Sequence, residues 1–223
     1  MRTLAPAARR LATVVALGAA ASLSLTACGG SSGSLPVAVV SGASSSAPPG
    51  TIALSPPDAK PNLTLTDQDG HSYDLVRQTA GHPTLLYFGY THCPDVCPTT
   101  MADIAGAARK LPAAERRQLR VVFISTDPSR DTPQRLKQWL GAIDPDFVGL
   151  TGDFNAIQAA ASSVGVSVSP PVKHKDGSET VTHGAEVIVF SPKDDKAHIL
   201  YTSGVSEQRY TADLPKIVKG ETP

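Results

Sequence analysis

The chain contains 223 residues, of which 41% are hydrophobic, and its 20 basic and 20 acidic residues balance to a formal net charge of zero. This balance argues against a nucleic-acid-binding protein, because such proteins need an excess of basic side chains to contact phosphates. The 3 cysteines are too few for a disulfide-rich scaffold, so we expect them to serve at individual sites.

The N-terminus is typical of an export signal. Arginines within the first ten residues precede an apolar stretch, Leu11 to Leu25, that is too short and too weakly hydrophobic to span a membrane comfortably. The sequence LTACG at residues 25–29 resembles the lipobox of bacterial lipoproteins, which implies lipidation of Cys28. An ordinary secretory cleavage site beside an incidental cysteine is the alternative. We therefore predict a lipoprotein signal peptide over residues 1–27 and an exported protein, lipid-anchored to the outer face of the cytoplasmic membrane.

The segment after the signal has the composition of a linker. Residues 29–50 are rich in Gly, Ser, Ala and Pro and carry no charge, which predicts a flexible, lipid-anchored linker over residues 28–51. Residues 52–223 are predicted to form one domain. Loss of the signal removes three of the 20 basic residues and leaves 17 against 20 acidic ones, so the mature chain has a formal charge of −3.

The first predicted elements of the domain are a hairpin, a buried strand and a helix. Leu63–Val76 alternates apolar and polar residues on either side of an Asp-Gly turn, which predicts a β-hairpin. The apolar run Thr84–Tyr90 predicts a buried strand. Pro98 suits the first position of a helix, so we predict that the helix begins there, with Cys97 as its N-cap.

The remaining predicted elements alternate between strands and helices. They are a strand over Arg120–Ser125, a helix capped by Thr132, a short strand over Phe147–Leu150, a helix from Asp153 to Val164, strands over Glu186–Phe190 and His198–Tyr201, and a helix over Thr211–Val218. Such alternation implies parallel strands joined by crossover helices, followed here by an antiparallel pair. The layout resembles the thioredoxin-like α/β fold, with an N-terminal β-hairpin and an inserted βα unit.

Two cysteines follow directly on the first buried strand. Cys93 and Cys97 lie at a strand-to-helix turn, where they could form a reversible disulfide or supply two soft ligands to a metal. A static disulfide that staples the turn is a third interpretation, although so short a loop gains little stability from it. As a helix cap, Cys97 would face the positive end of the helix dipole, which favours its thiolate form.

A metal site would need a third ligand, and His183 is the strongest candidate. It stands just before the predicted strand Glu186–Phe190, and in a thioredoxin-like fold the loop entering that strand packs beside the turn with the cysteines. A solvated loop histidine is equally compatible with its position, and His82 and His174 remain alternatives. Met101 lies on the apolar stripe of its helix and is interpreted as core. Two cysteines and one histidine suit copper, as Cu(I) or Cu(II), whereas zinc would need a fourth ligand.

Short motifs along the domain point to a known family. They are GYTHCPDVCP at residues 89–98, STDPSRDTP at residues 125–133, GLTG at residues 149–152 and the pair Thr182-His183. Together they resemble the Sco/SenC family of copper-binding thioredoxin-like proteins. The resemblance extends over about residues 52–214, which is essentially the whole predicted domain.

The resemblance implies a function as well as a fold. It implies that copper is bound by Cys93, Cys97 and His183. It also implies a role in maturing the dinuclear CuA centre of cytochrome c oxidase, by delivering copper or by reducing the acceptor cysteines. The expected partners are the CuA-bearing oxidase subunit or another copper acceptor, and the membrane through the lipid on Cys28. We expect no nucleic-acid partner, and we expect a monomer.

The chain departs from the family pattern beside the third ligand. The family usually carries an aspartate directly before the ligand histidine, where this sequence has Thr182. A carboxylate that could orient the imidazole is therefore missing from that position, and Thr182, Glu179 and Glu186 are candidate replacements. In the second motif, Asp127 and Asp131 fit two interpretations, as turn formers or as side chains that support the metal ligands.

Two functional hypotheses follow, and a third fits less well. A lipid-anchored copper chaperone would pass one ion on by ligand exchange and would not be an enzyme. A thiol-disulfide oxidoreductase would instead cycle Cys93 and Cys97 between dithiol and disulfide, and would not need His183. A metal-free peroxidase or redox sensor is a poorer match, because a peroxidatic cysteine usually acts as a single attacking thiol.

Overall fold

A computed structural model describes residues 50–173, 175 and 179–223. The predicted signal peptide over residues 1–27, Cys28 and His174 lie outside the described residues, as does the predicted linker over residues 28–51 except for its last two positions. Within the described part of the chain, no helix is both long enough and apolar enough to cross a membrane.

The centre of the fold is a mixed β-sheet. The strands are β1 (Thr51–Ala59), β2 (Thr64–Asp67), β3 (Ser72–Asp74), β4 (Thr84–Gly89), β5 (Arg120–Ser125), β6 (Val148–Thr151), β7 (Val172–Lys173), β8 (Glu179–Thr180), β9 (Val187–Phe190) and β10 (Lys196–Tyr201). Eight of them form one sheet in the order β1-β10-β9-β4-β5-β6-β2-β3, while β7 and β8 form a separate ribbon. β4, β5 and β6 are parallel, and β9 runs antiparallel to β4.

Helices cover both faces of this sheet. They are α1 (Leu75–Gln78), α2 (Val96–Ala108), α3 (Ala113–Arg116), α4 (Pro133–Gly141), α5 (Phe154–Ser163) and α6 (Glu207–Val218). Strand β4 alternates its side chains between the faces, so Leu85 and Tyr87 join one apolar cluster and Leu86 and Phe88 join the other. The first cluster includes residues of α2, α4 and α6, and the second includes residues of α1 and α5. Met101, interpreted as core, is fully buried in the first cluster.

The topology brings two distant loops to one edge of the sheet. Because β4 and β5 are parallel, the turns that follow them leave the sheet at the same edge. Because β9 is antiparallel to β4, with Val187 opposite Tyr87, the loop that enters β9 lies at that edge too. The sequence predicts this arrangement for the cysteine turn and the loop with His183.

Most predicted elements are confirmed, and the differences lie mainly at their ends. β5 has the predicted bounds, and the predicted caps Thr132 and Asp153 accept hydrogen bonds from the N–H groups of Arg135 and Ala156 at 3.3 and 2.9 Å. The predicted hairpin forms, but it ends earlier, because α1 begins at Leu75 with Asp74 as its cap.

Strand β1 is the main element that the sequence does not predict. Its Pro56 and Pro57 resemble a continuation of the linker composition. The strand tolerates them because it lies at the edge of the sheet, where its register against β10 shifts between Ala53 and Asp58. The short elements α1, α3, β7 and β8 are also missing from the prediction.

Candidate metal centre

Cys93, Cys97 and His183 meet at the edge of the sheet where β4 ends. The Sγ atom of Cys97 lies 3.6 Å from Nε2 of His183, although the two residues are 86 positions apart in the chain. The Sγ atom of Cys93 accepts a hydrogen bond from the N–H of Cys97 at 3.4 Å. Both cysteines are free thiols. The structure therefore gathers the three residues that were predicted as a site.

His183 reaches this edge through the backbone of its loop. It forms an isolated antiparallel bridge with Val168, and the next residue, Gly184, donates its N–H to the carbonyl of Ser167 at 2.7 Å. These contacts attach the histidine to the segment that follows α5, and not to the turn that carries the cysteines.

The imidazole of His183 is oriented by a backbone carbonyl. Its Nδ1 lies 2.6 Å from the carbonyl oxygen of Gly184, so Nδ1 carries the proton and donates it, and Nε2 presents its lone pair on the side of Cys97. Burial lowers the pKa of His183 below its ordinary value, against the opposing effects of this hydrogen bond and of Glu186. The ring is therefore neutral near pH 7 and able to bind a metal.

Of the side chains expected to replace the missing aspartate, the two that the structure describes, Thr182 and Glu186, do not make this contact. Thr182 is exposed, and Oε2 of Glu186 is buried without a hydrogen-bond partner among the residues the structure describes. The side chain of Glu179 lies outside the described residues. Sequence reasoning missed the Gly184 carbonyl because every residue carries a backbone acceptor, and no residue type marks the one that is used.

The start of α2 corrects the predicted role of Cys97. The helix begins at Val96 with Asp95 as its N-cap, and not at Pro98 with Cys97 as the cap. Cys97 is therefore inside the helix and fully buried, and burial raises the pKa of its thiol to about 12. Burial also opposes ionisation of Cys93, but the N–H groups of Cys97, Asp95 and Val96 outweigh it and hold the pKa of that thiol below its ordinary value.

Aromatic rings enclose the imidazole. The rings of Tyr87 and Tyr90 pack edge-on against His183, with centroid distances of 6.2 and 5.6 Å. A Cβ atom at Gly89 would lie 2.7 Å from the Tyr87 ring and 3.0 Å from the Sγ atom of Cys97. Glycine at the end of β4 therefore allows the ring and the sulfur to come together.

The other described histidines have different partners. Nδ1 of His82 lies 3.0 Å from the carbonyl oxygen of Gln118, at the opposite end of β4, so His82 is not placed to act as a third ligand. His71 and His198 each contact an aspartate four residues earlier in the chain.

His92, the neighbour of Cys93, is exposed, and its Nδ1 lies 3.5 Å from a carboxylate oxygen of Asp131. His174, the other alternative ligand, lies outside the described residues.

The second motif supports the cysteine turn through a buried carboxylate. Asp131 is fully buried and accepts hydrogen bonds from the N–H of Thr91 at 2.9 Å, the Thr91 hydroxyl at 2.6 Å and the Ser125 hydroxyl at 2.7 Å. Arg135 donates to the Thr91 hydroxyl at 2.9 Å. Of the two interpretations of Asp131, the structure favours a supporting side chain, because its carboxylate links the end of β5 to the residues just before Cys93. Asp127 is also fully buried and pairs with Arg130.

The types of donor atom at this site fit copper, although the three side chains are not yet arranged around a common position for an ion. Within residues 50–173, 175 and 179–223, no group of three His, Cys, Asp or Glu side chains is already arranged to hold a metal ion. The 3.6 Å between Cys97 Sγ and His183 Nε2 nevertheless matches two ligands of one ion, since bonds of about 2.3 Å to sulfur and about 2.0 Å to nitrogen separate them by about 3.5 Å at a tetrahedral angle. Two thiolates with one imidazole are donors that copper accepts.

Comparison with known proteins assigns the chain to a family. A family model described as SCO1/SenC matches residues 53–219, which include the two cysteines, the Asp131 network and His183. The chain belongs to the SCO1/SenC family. Its relatives include the mitochondrial protein SCO1 of Saccharomyces cerevisiae, which is 30% identical over 130 residues. These residues make up 58% of this chain and 44% of the yeast protein, so the chain spans less than half the length of that relative.

Solved structures of the SCO1/SenC family share the thioredoxin-like α/β fold of this chain. The copper-bound structure of Bradyrhizobium japonicum ScoI is 33% identical, with a TM-score of 0.59, and the match covers 72% of this chain and 97% of ScoI. The structure of BsSco is 25% identical, with a TM-score of 0.56 over 73% of this chain and 95% of BsSco. BsSco is described as having a disulfide switch and as a member of the Sco family of cytochrome c oxidase assembly proteins.

The two thiols of this SCO1/SenC protein are expected to differ in reactivity. When the reduced, metal-free protein is treated with iodoacetamide at pH 7, Cys93 should be alkylated at least about tenfold faster than Cys97. Cys93 is partly exposed and has a lowered pKa, whereas Cys97 is buried and has a pKa of about 12. Tandem mass spectrometry over a time course locates the label. Unfolded protein is the control, in which the two rates should converge, and equal rates in the folded protein would contradict the asymmetry.

Proposed function

We propose that this protein is a membrane-anchored copper chaperone. It binds one copper ion through Cys93, Cys97 and His183, and it delivers that ion to the CuA-bearing subunit of cytochrome c oxidase or prepares the subunit to receive it. The observation that carries the proposal is the 3.6 Å approach of His183 Nε2 to the sulfur of Cys97, with the imidazole held by the Gly184 carbonyl. Copper binding by the relative ScoI and the assembly role of the family of BsSco support the same function.

The chemistry of the site suits a metal that is held and then released. Cys97 is fully buried in the packed core and supplies a ligand that a partner does not reach directly. Cys93 and His183 are each partly exposed and line a shallow surface depression with Val96 and Ala185, so an incoming ligand from a partner reaches them before it reaches Cys97. Such an arrangement allows transfer by stepwise ligand exchange, with no release of free copper.

The proposal is tested by competition for Cu(I). Reduced protein is titrated against a chromophoric Cu(I) chelator, and the thiols are assayed in parallel. We expect uptake of one copper ion per chain when both thiols are reduced, and none after oxidation of Cys93 and Cys97 to a disulfide. Failure of the reduced protein to take copper from the chelator would overturn the proposal.

A thiol-disulfide oxidoreductase is the second candidate. It is favoured by the free thiol of Cys93, which accepts an N–H from α2 and is partly exposed, and by the disulfide switch of BsSco. In this function His183 is dispensable. Full reductase turnover by His183→Ala on an oxidised acceptor peptide, together with unchanged maturation of the oxidase, would favour this candidate over the chaperone.

The anchor is proposed from the sequence at Cys28. Replacement of Cys28 by serine should move the protein from the membrane fraction to the soluble fraction, because the diacylated cysteine is the expected means of attachment. Fractionation with an antibody against the domain measures this change. The control is Cys93→Ser, which should stay with the membrane, and membrane retention by Cys28→Ser would contradict lipid anchoring at this residue.

A further inference from the structure

Tyr87 contacts both sides of the candidate metal centre. Its side chain is fully buried in β4, and its hydroxyl lies 3.6 Å from the Sγ atom of Cys97, to which it donates a hydrogen bond. Its ring packs edge-on against His183 at an interplanar angle of 89°. Tyr87 therefore fixes the relative positions of a sulfur and an imidazole that come from distant parts of the chain.

The direction of the hydrogen bond follows from the partners of the hydroxyl. A phenol has one hydrogen to donate and can also accept one hydrogen bond. The phenol donates its hydrogen to the sulfur of Cys97, because a thiol is only a weak donor. Cys93 has a different donor, the N–H of Cys97, so each sulfur has its own hydrogen bond.

A hydrogen bond to a metal-bound sulfur changes the electronic balance of the site. The donor withdraws electron density from the sulfur, which favours the lower oxidation state of the metal, and hydrogen bonding around cysteine sulfur is a known means by which proteins tune copper sites. The phenol is fully buried, so water does not replace this contact.

We propose that Tyr87 is a positioning residue that holds the sulfur of Cys97 beside His183 and biases the site toward Cu(I) over Cu(II). The inference rests on the proposed function in one respect, namely that copper binds at Cys93, Cys97 and His183. The hydrogen bond itself also acts on the metal-free protein, because it stabilises the reduced sulfur and is weakened when Cys97 forms a disulfide.

The test variant is Tyr87→Phe, which keeps the ring and removes only the hydroxyl. Its affinity for Cu(I) should fall by about tenfold relative to its affinity for Cu(II), the effect expected for one lost hydrogen bond. The sulfur-to-Cu(II) charge-transfer band should move to lower energy, because the sulfur becomes a stronger electron donor. The matched control is Tyr201→Phe, which removes another buried phenol hydroxyl, bonded to Asp213 at 2.8 Å, and should leave the band unchanged.

A metal-free measurement separates this inference from the proposed function. In a glutathione buffer, the two thiols reduce one glutathione disulfide to two glutathione thiols and form the Cys93–Cys97 disulfide. Tyr87→Phe should shift this equilibrium toward the protein disulfide by about three- to tenfold, and Tyr201→Phe should not. A wild-type protein that fails to bind copper would defeat the proposed function and leave the glutathione result as the test of the Tyr87 contact. If Tyr87→Phe changes neither the thiol–disulfide equilibrium with glutathione nor the sulfur-to-Cu(II) charge-transfer band, the role of Tyr87 is overturned and the proposed copper function is not affected.

Discussion

Replacing His183 with alanine is expected to lower the affinity for Cu(I) by more than about a hundredfold. Loss of a residue that only orients a ligand typically costs 10- to 100-fold in metal affinity, and loss of the ligand itself should cost more. The sulfurs of Cys93 and Cys97 would remain, so weak two-coordinate binding should persist. The side chain is only partly buried, and the substitution should therefore leave the fold intact. Competition with a Cu(I) chelator gives the affinity, and circular dichroism gives the fold.

The control for this change is His198→Ala. His198 is a partly exposed histidine on β10 that pairs with Asp194 at 2.8 Å and has no contact with the cysteines. Its removal should leave copper affinity unchanged. A His183→Ala protein with an affinity within about threefold of the wild type would remove the imidazole from the ligand set. The site would then be a dithiol, as the oxidoreductase hypothesis requires.

Replacing Asp131 with alanine is expected to destabilise the fold by about 3–5 kcal/mol. The change leaves the N–H and hydroxyl of Thr91 and the hydroxyl of Ser125 buried without their acceptor. Each unsatisfied buried group costs about 1–3 kcal/mol, and removal of one partner from a buried charged network costs about 3–5 kcal/mol. Urea unfolding followed by tryptophan fluorescence measures the change, because Trp139 packs against Phe123 in the core.

Asp153→Ala is the matched control for Asp131→Ala. Asp153 also accepts a hydrogen bond from a backbone N–H, that of Ala156 at 2.9 Å, but it caps α5 at an exposed position. Its loss should cost about 1 kcal/mol, the usual effect of an N-cap. If Asp131→Ala is no more destabilising than this control, the carboxylate does not support the cysteine turn in the way that its contacts indicate.

The sequence predicts the fold well where the chain is buried and periodic. β4 and β5 are apolar runs without polar interruption, and the caps of α4 and α5 use Thr132 and Asp153 in their usual roles. Strand β1 could not be found in the same way, because its stability comes from pairing with β10, far away in the sequence. The start of α2 is two residues earlier than predicted, since Pro98 is also accepted in the first turn of a helix.

The candidate site is predictable in its residue types and less so in its electrostatics. Cys93, Cys97 and His183 stand out because their chemistry is rare in the chain. Cys97 does not have the expected thiolate-favouring position, because the helix starts two residues earlier and its sulfur is buried within the first turn of α2. The contribution of Tyr87 has no sequence signature, because a tyrosine within a buried strand is usually read as core.

The backbone of His183 is attached to a different part of the fold from the two sulfurs. The sulfurs lie in the turn after β4 and in the first turn of α2, two elements that pack in the first apolar cluster, while the backbone of His183 is held by its bridge to Val168 and by the bond between Gly184 and Ser167. A segment held by few backbone hydrogen bonds opens more readily than a central strand. The nitrogen ligand can therefore dissociate from a bound ion while both sulfurs stay coordinated. The ion can then pass to a partner protein without being released into solution.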